Sequence, residues 1–299
     1  MYLHEDKAKF LAVLESISKT SNIQADLIEK DYYVSLILKE IANSSDKVIF
    51  KGGTSLSKAL KVINRFSEDI DISFSEHIGA SRRKKLKYQT IGPIAQKLGL
   101  TISNFDETQS DRDINNYIFE YKPLCVSNAH IIPAVKVETS LITAVFPFEK
   151  KSIGNYIADY SNDISLSEYG LEPFIMNVQA IERTLIDKVF AICDYFLEDK
   201  SRRLSRHIYD IHMIFPKVNF DDNFKSLIKK VRKIRSDLAI CPSAKADIDI
   251  NSLLKKICDT DFFKNDYDGV TRFFIFDNVK YKETKSTLQR IIDSGMFNG

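Results

Sequence analysis

Residues 48–74 read VIFKGGTSLSKALKVINRFSEDIDISF, and the fold turns on this stretch. Val48, Ile49 and Phe50 make a short apolar run, Gly52 and Gly53 interrupt it, and Leu56, Ala59, Leu60 and Ile63 then recur at helical spacing. Thr54 and Ser55 are residue types that cap a helix. The stretch closes on a second strand carrying Asp69 and Asp71. Strand side chains alternate faces, so these two carboxylates point one way while Ile70, Ile72 and Phe74 point the other way, into a core. Two like charges side by side repel unless a cation lies between them. A hard divalent ion suits that place, because Mg²⁺ is held by one or two carboxylates together with substrate phosphates. Taken alone, Asp-x-Asp is equally a solvated strand face that happens to carry two acids.

The residues upstream add weight to the first reading. Glycines ahead of a helix let backbone N–H groups approach an anion, and the helix dipole favours negative charge there. Ser55, Ser57 and Lys58 add hydroxyls and a positive charge, although an ordinary strand-to-helix turn also favours glycine. The turn is not a Walker A loop, since Ser57 precedes Lys58 where that loop requires Gly, and Ala59 follows where it requires Ser or Thr.

The run KGGTSLSK at 51–58, followed by RFSEDID at 65–71, resembles the AbiEii/AbiGii toxin family. These are nucleotidyltransferase-like proteins of bacterial toxin–antitoxin and abortive phage-infection systems, related to the MenT toxins. The chain fits the pattern of polymerase-β-like nucleotidyltransferases: G-[GS], then D-x-[DE], then a third carboxylate on a later strand. The resemblance implies an α+β fold, with a small mixed sheet flanked by helices and a helical C-terminal lobe. It implies transfer of a nucleoside monophosphate (NMP) from an NTP to an acceptor hydroxyl, with Mg²⁺ or Mn²⁺ on Asp69 and Asp71. Gly52, Gly53, Thr54, Ser55, Lys58 and Ser67 then surround the nucleotide. The run Glu29-Lys30-Asp31-Tyr32-Tyr33 is also similar to the family and is read as packing against the catalytic sheet, with no chemistry assigned to Lys30 or Asp31.

The 299 residues suffice for one large domain or two ordinary ones, and 44% hydrophobic content supports real cores. A formal net charge of +2 does not by itself announce a nucleic-acid partner. Local basic runs at 82–85, 229–233 and 202–206 could meet phosphates, and each is also an ordinary solvated helix face. Cys125, Cys193, Cys241 and Cys258 form no C-x-x-C pair and read as reduced thiols of a cytoplasmic protein. The N-terminal MYLHEDKAKF carries charges where a signal peptide needs an apolar core, and no run is long enough to span a bilayer, so no membrane partner is expected.

Along the rest of the chain, two helices are expected over 7–43 and a basic helix over 81–98. Strands are expected at 100–104, 117–121 and 130–139, with 106–116 as a hairpin loop. On the last strand Lys136 and Glu138 share a face, which makes Glu138 the candidate third carboxylate, to bind metal or take a proton from an attacking hydroxyl. A plain cross-strand ion pair involving Lys136 or Glu138 is the alternative. Residues 146–169 read as irregular, or as a strand edge wandering toward a second lobe, and as the boundary region, with the domains set at 1–172 for a nucleotidyltransferase domain and 173–299 for a mainly helical one. Asn177 is read as the cap of a helix over 178–197, where Lys188 sits at the edge of the apolar stripe and could hold a triphosphate. Helices follow over 202–215, 223–234, 248–258 and 280–294, with a strand-like piece at 271–276.

In the family a lysine on one C-terminal helix and an aspartate on the next complete the site. The resemblance carries those roles to Lys188 and Asp210, and Asp187 is the competing acid. It also implies a cognate antitoxin and, in some relatives, addition of nucleotides to the 3′ end of tRNA, which stops translation. Other relatives are GTP-binding toxins without a settled target, so a catalytically degenerate NTP-binding toxin or regulator is the alternative function.

Overall fold

The computed structural model describes residues 1–125, 131–142, 144–161 and 164–297. It divides into two compact units, Met1–Leu60 with Ser67–Gln179, and Lys61–Phe66 with Ala180–Gly299.

The first unit begins with α1 (Lys7–Ser21) and α2 (Ala25–Ser44), the two helices expected over 7–43. Asp6 caps α1 by accepting from the Lys9 N–H at 3.0 Å, and Asn22, in the left-handed region, ends it. Next come β1 (Val48–Lys51), α3 (Gly52–Lys58) and β2 (Ile70–Phe74). The expected basic helix is α4 (Ala80–Lys85) and α5 (Gly92–Lys97), joined by a π-helical turn over Leu86–Ile91. The remaining elements are β3 (Thr101–Ile102), β4 (Ile114–Glu120), β5 (Ala134–Ser140), β6 (Phe148–Ile153), α6 (Tyr156–Tyr160) and β7 (Phe174–Gln179).

The seven strands form one mixed sheet in the order β3-β4-β5-β2-β1-β7-β6. β2 pairs antiparallel with β1 and parallel with β5, and β1 pairs parallel with β7. Alternation sorts the side chains as expected. Val48, Phe50, Ile70, Ile72, Tyr117, Phe119, Val135 and Val137 join Phe10, Tyr32, Ile37 and Leu38 of the helices in one buried cluster. The opposite face of the same strands carries Lys51, Asp71, Lys136 and Glu138.

Several expectations are corrected by these elements. Within residues 146–169 the strand-edge reading holds for Phe148–Ile153, which is the edge strand β6. Its sequence FEKKSI buries only Ile153 fully, so it shows no apolar alternation to read. Asn177 is no helix cap but pairs within β7, so the helix begins at Ile181 rather than 178. The loop expected over 106–116 ends early, since β4 starts at Ile114. His130, the first residue of the strand expected over 130–139, lies outside the described residues, and β5 begins at Ala134. The sheet of the first unit thus runs to Gln179, past position 172.

The second unit contains α7 (Ile181–Leu197), α8 (Arg206–Ile214), α9 (Asp222–Ser236), α10 (Ile250–Asp259), α11 (Lys264–Gly269) and α12 (Tyr281–Ser294). Helices α7, α8, α10 and α12 pack on one another through Leu185, Val189, Ile208, Ile211, Leu254, Ile257 and Leu288, all buried. Asp221 and Asp249 cap α9 and α10, accepting from the N–H groups of Phe224 and Asn251. The piece expected as strand over 271–276 is a 3₁₀ turn (Thr271–Phe274), followed by a single bridge from Ile275 to Arg65. The segment Lys61–Phe66 belongs to this unit. The Asn64 N–H donates to the Tyr209 hydroxyl at 3.1 Å, the Phe66 N–H to the Phe274 carbonyl at 2.9 Å, and the Phe276 N–H to the Asn64 carbonyl at 2.9 Å. Among the described residues, no helix is long and apolar enough to cross a membrane.

Candidate functional site

Across the centre of the sheet, Lys51, Asp71 and Glu138 stand directly opposite one another on β1, β2 and β5. Partners in register project to the same face, so the sheet itself assembles this charged row. Asn116 of β4 extends it beyond Glu138. Asp69 precedes β2 by one residue, and its Oδ2 lies 3.0 Å from the Lys136 ammonium. The cross-strand ion pair weighed as the alternative role of Lys136 is therefore present, with Glu138 two residues farther along the same strand.

The electrostatics follow from the packing. Burial pushes the Glu138 carboxyl above the ordinary range, and the Asp71 charge pushes it further against the opposing pull of Lys51 and Lys136. Burial works against the Lys136 charge, yet the Asp69 carboxylate, aided by Asp71 and Glu138, holds that ammonium above its usual value. This part of the face attracts cations and penalises each additional negative charge.

Gly52 explains how the row is reached. It adopts φ +75°, and a Cβ placed on it would lie 1.9 Å from Asp71 Oδ2. Only a residue without a side chain allows the turn to pass so close to that carboxylate. The helix α3 starts at Gly52 itself, with no side-chain cap, so Thr54 and Ser55 are not its cap residues. Both are fully buried. The Ser55 hydroxyl donates back to the Gly52 carbonyl at 2.9 Å. The Thr54 hydroxyl donates to the Asp69 carbonyl and meets the Ser67 hydroxyl at 2.9 Å. Thr54 and Ser67 thus fasten α3 to the backbone that presents Asp69. Lys58 forms an ion pair with Asp31 of α2, and Asp31 also accepts from the Tyr156 N–H at 2.9 Å. Lys30 forms an ion pair with Glu68, the residue before Asp69, and donates to the Ile132 carbonyl at 3.0 Å. The family-like run on α2 thus anchors both ends of the 58–68 segment that follows α3.

The donor set suits a hard divalent ion. It offers carboxylate oxygens at Asp69 and Asp71, with the backbone of the glycine turn packed directly against the Asp71 carboxylate. Among the described residues no three His, Cys, Asp or Glu side chains cluster as a complete metal cage.

In the second unit the structure brings together two other expected residues and adds a third. Asp210 of α8 is fully buried, and accepts from Arg65 Nε and Nη2, both at 2.7 Å, and from Lys188 Nζ of α7 at 2.7 Å. Burial alone would raise its pKa; the two cations more than offset this and hold the carboxyl far below the usual range. Burial, together with the Arg65 charge, lowers the Lys188 pKa against the pull of Asp210. Asp187, the competing acid, instead pairs with Arg183 at 3.0 Å and Arg235 at 3.4 Å and is partly exposed. Arg65 escaped notice in the sequence as a partner of Asp210, because 145 residues separate them.

The same arrangement of residues falls within a known family. The family model of the nucleotidyl transferase AbiEii toxin of type IV toxin–antitoxin systems matches residues 36–285. A search of curated proteins finds no match. Among solved structures the chain is similar to MenT4, a nucleotidyltransferase toxin from Mycobacterium tuberculosis H37Rv. That likeness has 14% identity and a TM-score of 0.49, covering 95% of this chain and 97% of that one. The matched span holds Gly52, Asp69, Asp71, Glu138, Lys188 and Asp210, and the chain belongs to the AbiEii nucleotidyltransferase toxin family.

Proposed function

We propose that this toxin transfers an NMP from an NTP to a hydroxyl of an RNA acceptor, the tRNA 3′ end in the first instance, and so halts translation and growth. The supporting observation is the row Lys51–Asp71–Glu138 beside Asp69, assembled by the sheet and approached by the side-chain-free turn at Gly52. Asp69 and Asp71 would hold Mg²⁺ or Mn²⁺, which supplies charge neutralisation at the phosphates and the leaving pyrophosphate. Glu138, with its raised pKa, is suited to take the proton of the attacking hydroxyl. Gly52 and Gly53 offer backbone N–H groups to phosphate oxygens. Thr54 and Ser67 keep Asp69 in register with the turn, and Ser55 braces the turn from within. Lys58 serves by fixing α3 to α2 through Asp31. In the second unit Lys188 remains the candidate phosphate partner, and Asp210 holds it and Arg65 in place. The basic helix over 80–97 suits an RNA backbone. A cytoplasmic site of action and a cognate antitoxin encoded alongside complete the reading, in a system that would serve phage defence.

A labelling assay tests this directly, with the protein incubated with Mg²⁺, each labelled NTP and total tRNA. Label is expected on the RNA with at least one NTP, falling about a hundredfold or more in Asp69→Ala and Asp71→Ala, as when a transition-state charge stabiliser is removed. Absence of label with every NTP, alongside NTP binding untouched by Asp69→Ala, would leave a toxin that binds nucleotide without transferring it.

A further inference from the structure

Lys136 stands on the same face of β5 as Glu138, one strand from Asp71, and its ammonium rests 3.0 Å from Asp69 Oδ2. Its side chain is 35% exposed and that of Asp69 is 23% exposed, so neither is locked in a dry interior. An ammonium and a divalent ion are both drawn to the lone pairs of a carboxylate oxygen, and two cations held there at close range repel each other. The charged groups on the same face are Glu138 two residues along β5, Asp71 on β2 and Glu120 on β4, all acidic, and the basic Lys51 on β1.

We propose that Lys136 is a resident counter-ion for Asp69. It holds the carboxylate in position and must yield that oxygen to the incoming divalent ion, thereby setting the ion concentration at which the enzyme works. The inference rests on the reading of Asp69 and Asp71 as the metal pair. Lysine suits this role because its ammonium is a point charge on a flexible stem, and a solvent-accessible pair of this kind is weakly held. An arginine would grip the carboxylate through two parallel hydrogen bonds and release it less readily.

The experiment uses the full chain and Mn²⁺, alone and with a non-hydrolysable NTP analogue, with bound ion read by water-proton relaxation and free ion by electron paramagnetic resonance. Lys136→Met removes one positive charge at contact distance and is expected to bind Mn²⁺ about tenfold more tightly than wild type. Lys136→Arg is expected to bind no more tightly than wild type. The Mn²⁺ concentration for half-maximal NMP transfer should fall in parallel for Lys136→Met. Lys136→Gln, a smaller polar replacement, keeps the test available if the Met variant does not fold, and a thermal melt checks both. Wild-type protein that binds no Mn²⁺ either alone or with a non-hydrolysable NTP analogue, or binding indifferent to Asp69→Ala and Asp71→Ala, overturns the metal-pair reading itself. Binding that is lost in Asp69→Ala but unchanged or weakened in both Lys136→Met and Lys136→Gln overturns the role of Lys136 alone.

Discussion

Gly52 and Thr54 show how much a single residue decides here. With φ at +75° and a phantom Cβ only 1.9 Å from Asp71 Oδ2, Gly52→Ala must strain the turn and displace the carboxylate at once. A stability loss of about 1–3 kcal/mol is expected from a non-glycine residue held in that region. Denaturant unfolding would measure it, and NMP transfer should fall with it. A variant with wild-type stability and wild-type transfer would mean that Asp71 need not sit where the turn now touches it. Thr54→Val keeps the volume but leaves the Asp69 carbonyl without its buried donor, at about 1–3 kcal/mol. Thr54→Ser should recover most of that loss in the same unfolding series, and a serine no better than valine would assign the effect to the methyl group. The glycine turn and the strand carrying Asp71 were legible in the sequence because both follow from local spacing, whereas Asp69, expected on that strand, lies one residue before it. The true partners of Thr54 were not, because they depend on how the chain from Ala59 to Glu68 returns.

At the scale of elements, α2 carries an unexpected load. Asp26, Glu29, Lys30 and Asp31 would pass for a solvated stripe, yet all four are buried. Glu29 accepts from the Leu124 and Cys125 N–H groups at 2.8 and 3.1 Å, while Lys30 and Asp31 reach Glu68 and Lys58. The family resemblance suggested a packing role for this run, and the structure gives it a specific form, salt bridges to both ends of the 58–68 segment. Removing one member of a buried ion pair strands the other charge, so Asp31→Ala should cost about 3–5 kcal/mol. The double variant Asp31→Ala with Lys58→Met should regain much of it. A urea double-mutant cycle with no coupling between the two changes would show that the pair contributes nothing. Strand β7 was missed because its short FIMNVQ run leads straight into the helical pattern that follows, and β6 was read only as a strand edge because FEKKSI shows no apolar alternation; the strand character of both is fixed by pairing with β1 and with each other across the fold.

For the molecule as a whole, the ion cluster of Arg65, Lys188 and Asp210 sets a pH dependence of stability. The folded pKa of Asp210 lies below its unfolded value of about 3.9. Its contribution is therefore complete above that value and lost as pH falls through the folded pKa. Asp210→Asn should cost about 3–5 kcal/mol near neutrality, where it leaves two buried cations without their anion. Urea midpoints of wild type and variant should begin to draw together as the pH is lowered from about 6 through the unfolded carboxylate value, and continue to converge toward the far lower folded one. A constant gap across that range would place the stabilisation elsewhere. The helices of this unit were legible in outline from their apolar stripes, whereas the affiliation of Lys61–Phe66 was not, because no local pattern announces a six-residue excursion.

That excursion has a practical consequence. The polypeptide crosses between its units three times, at 60/61, 66/67 and 179/180. A gene truncated to begin at Ala180 would encode six helices with the guanidinium partner of Asp210 left on the discarded piece. Such a fragment should be insoluble or poorly folded until a peptide spanning residues 61–66 is fused to it. Splitting this toxin into separately expressible halves, a common route to handling lethal genes, therefore calls for a permuted design rather than a single cut.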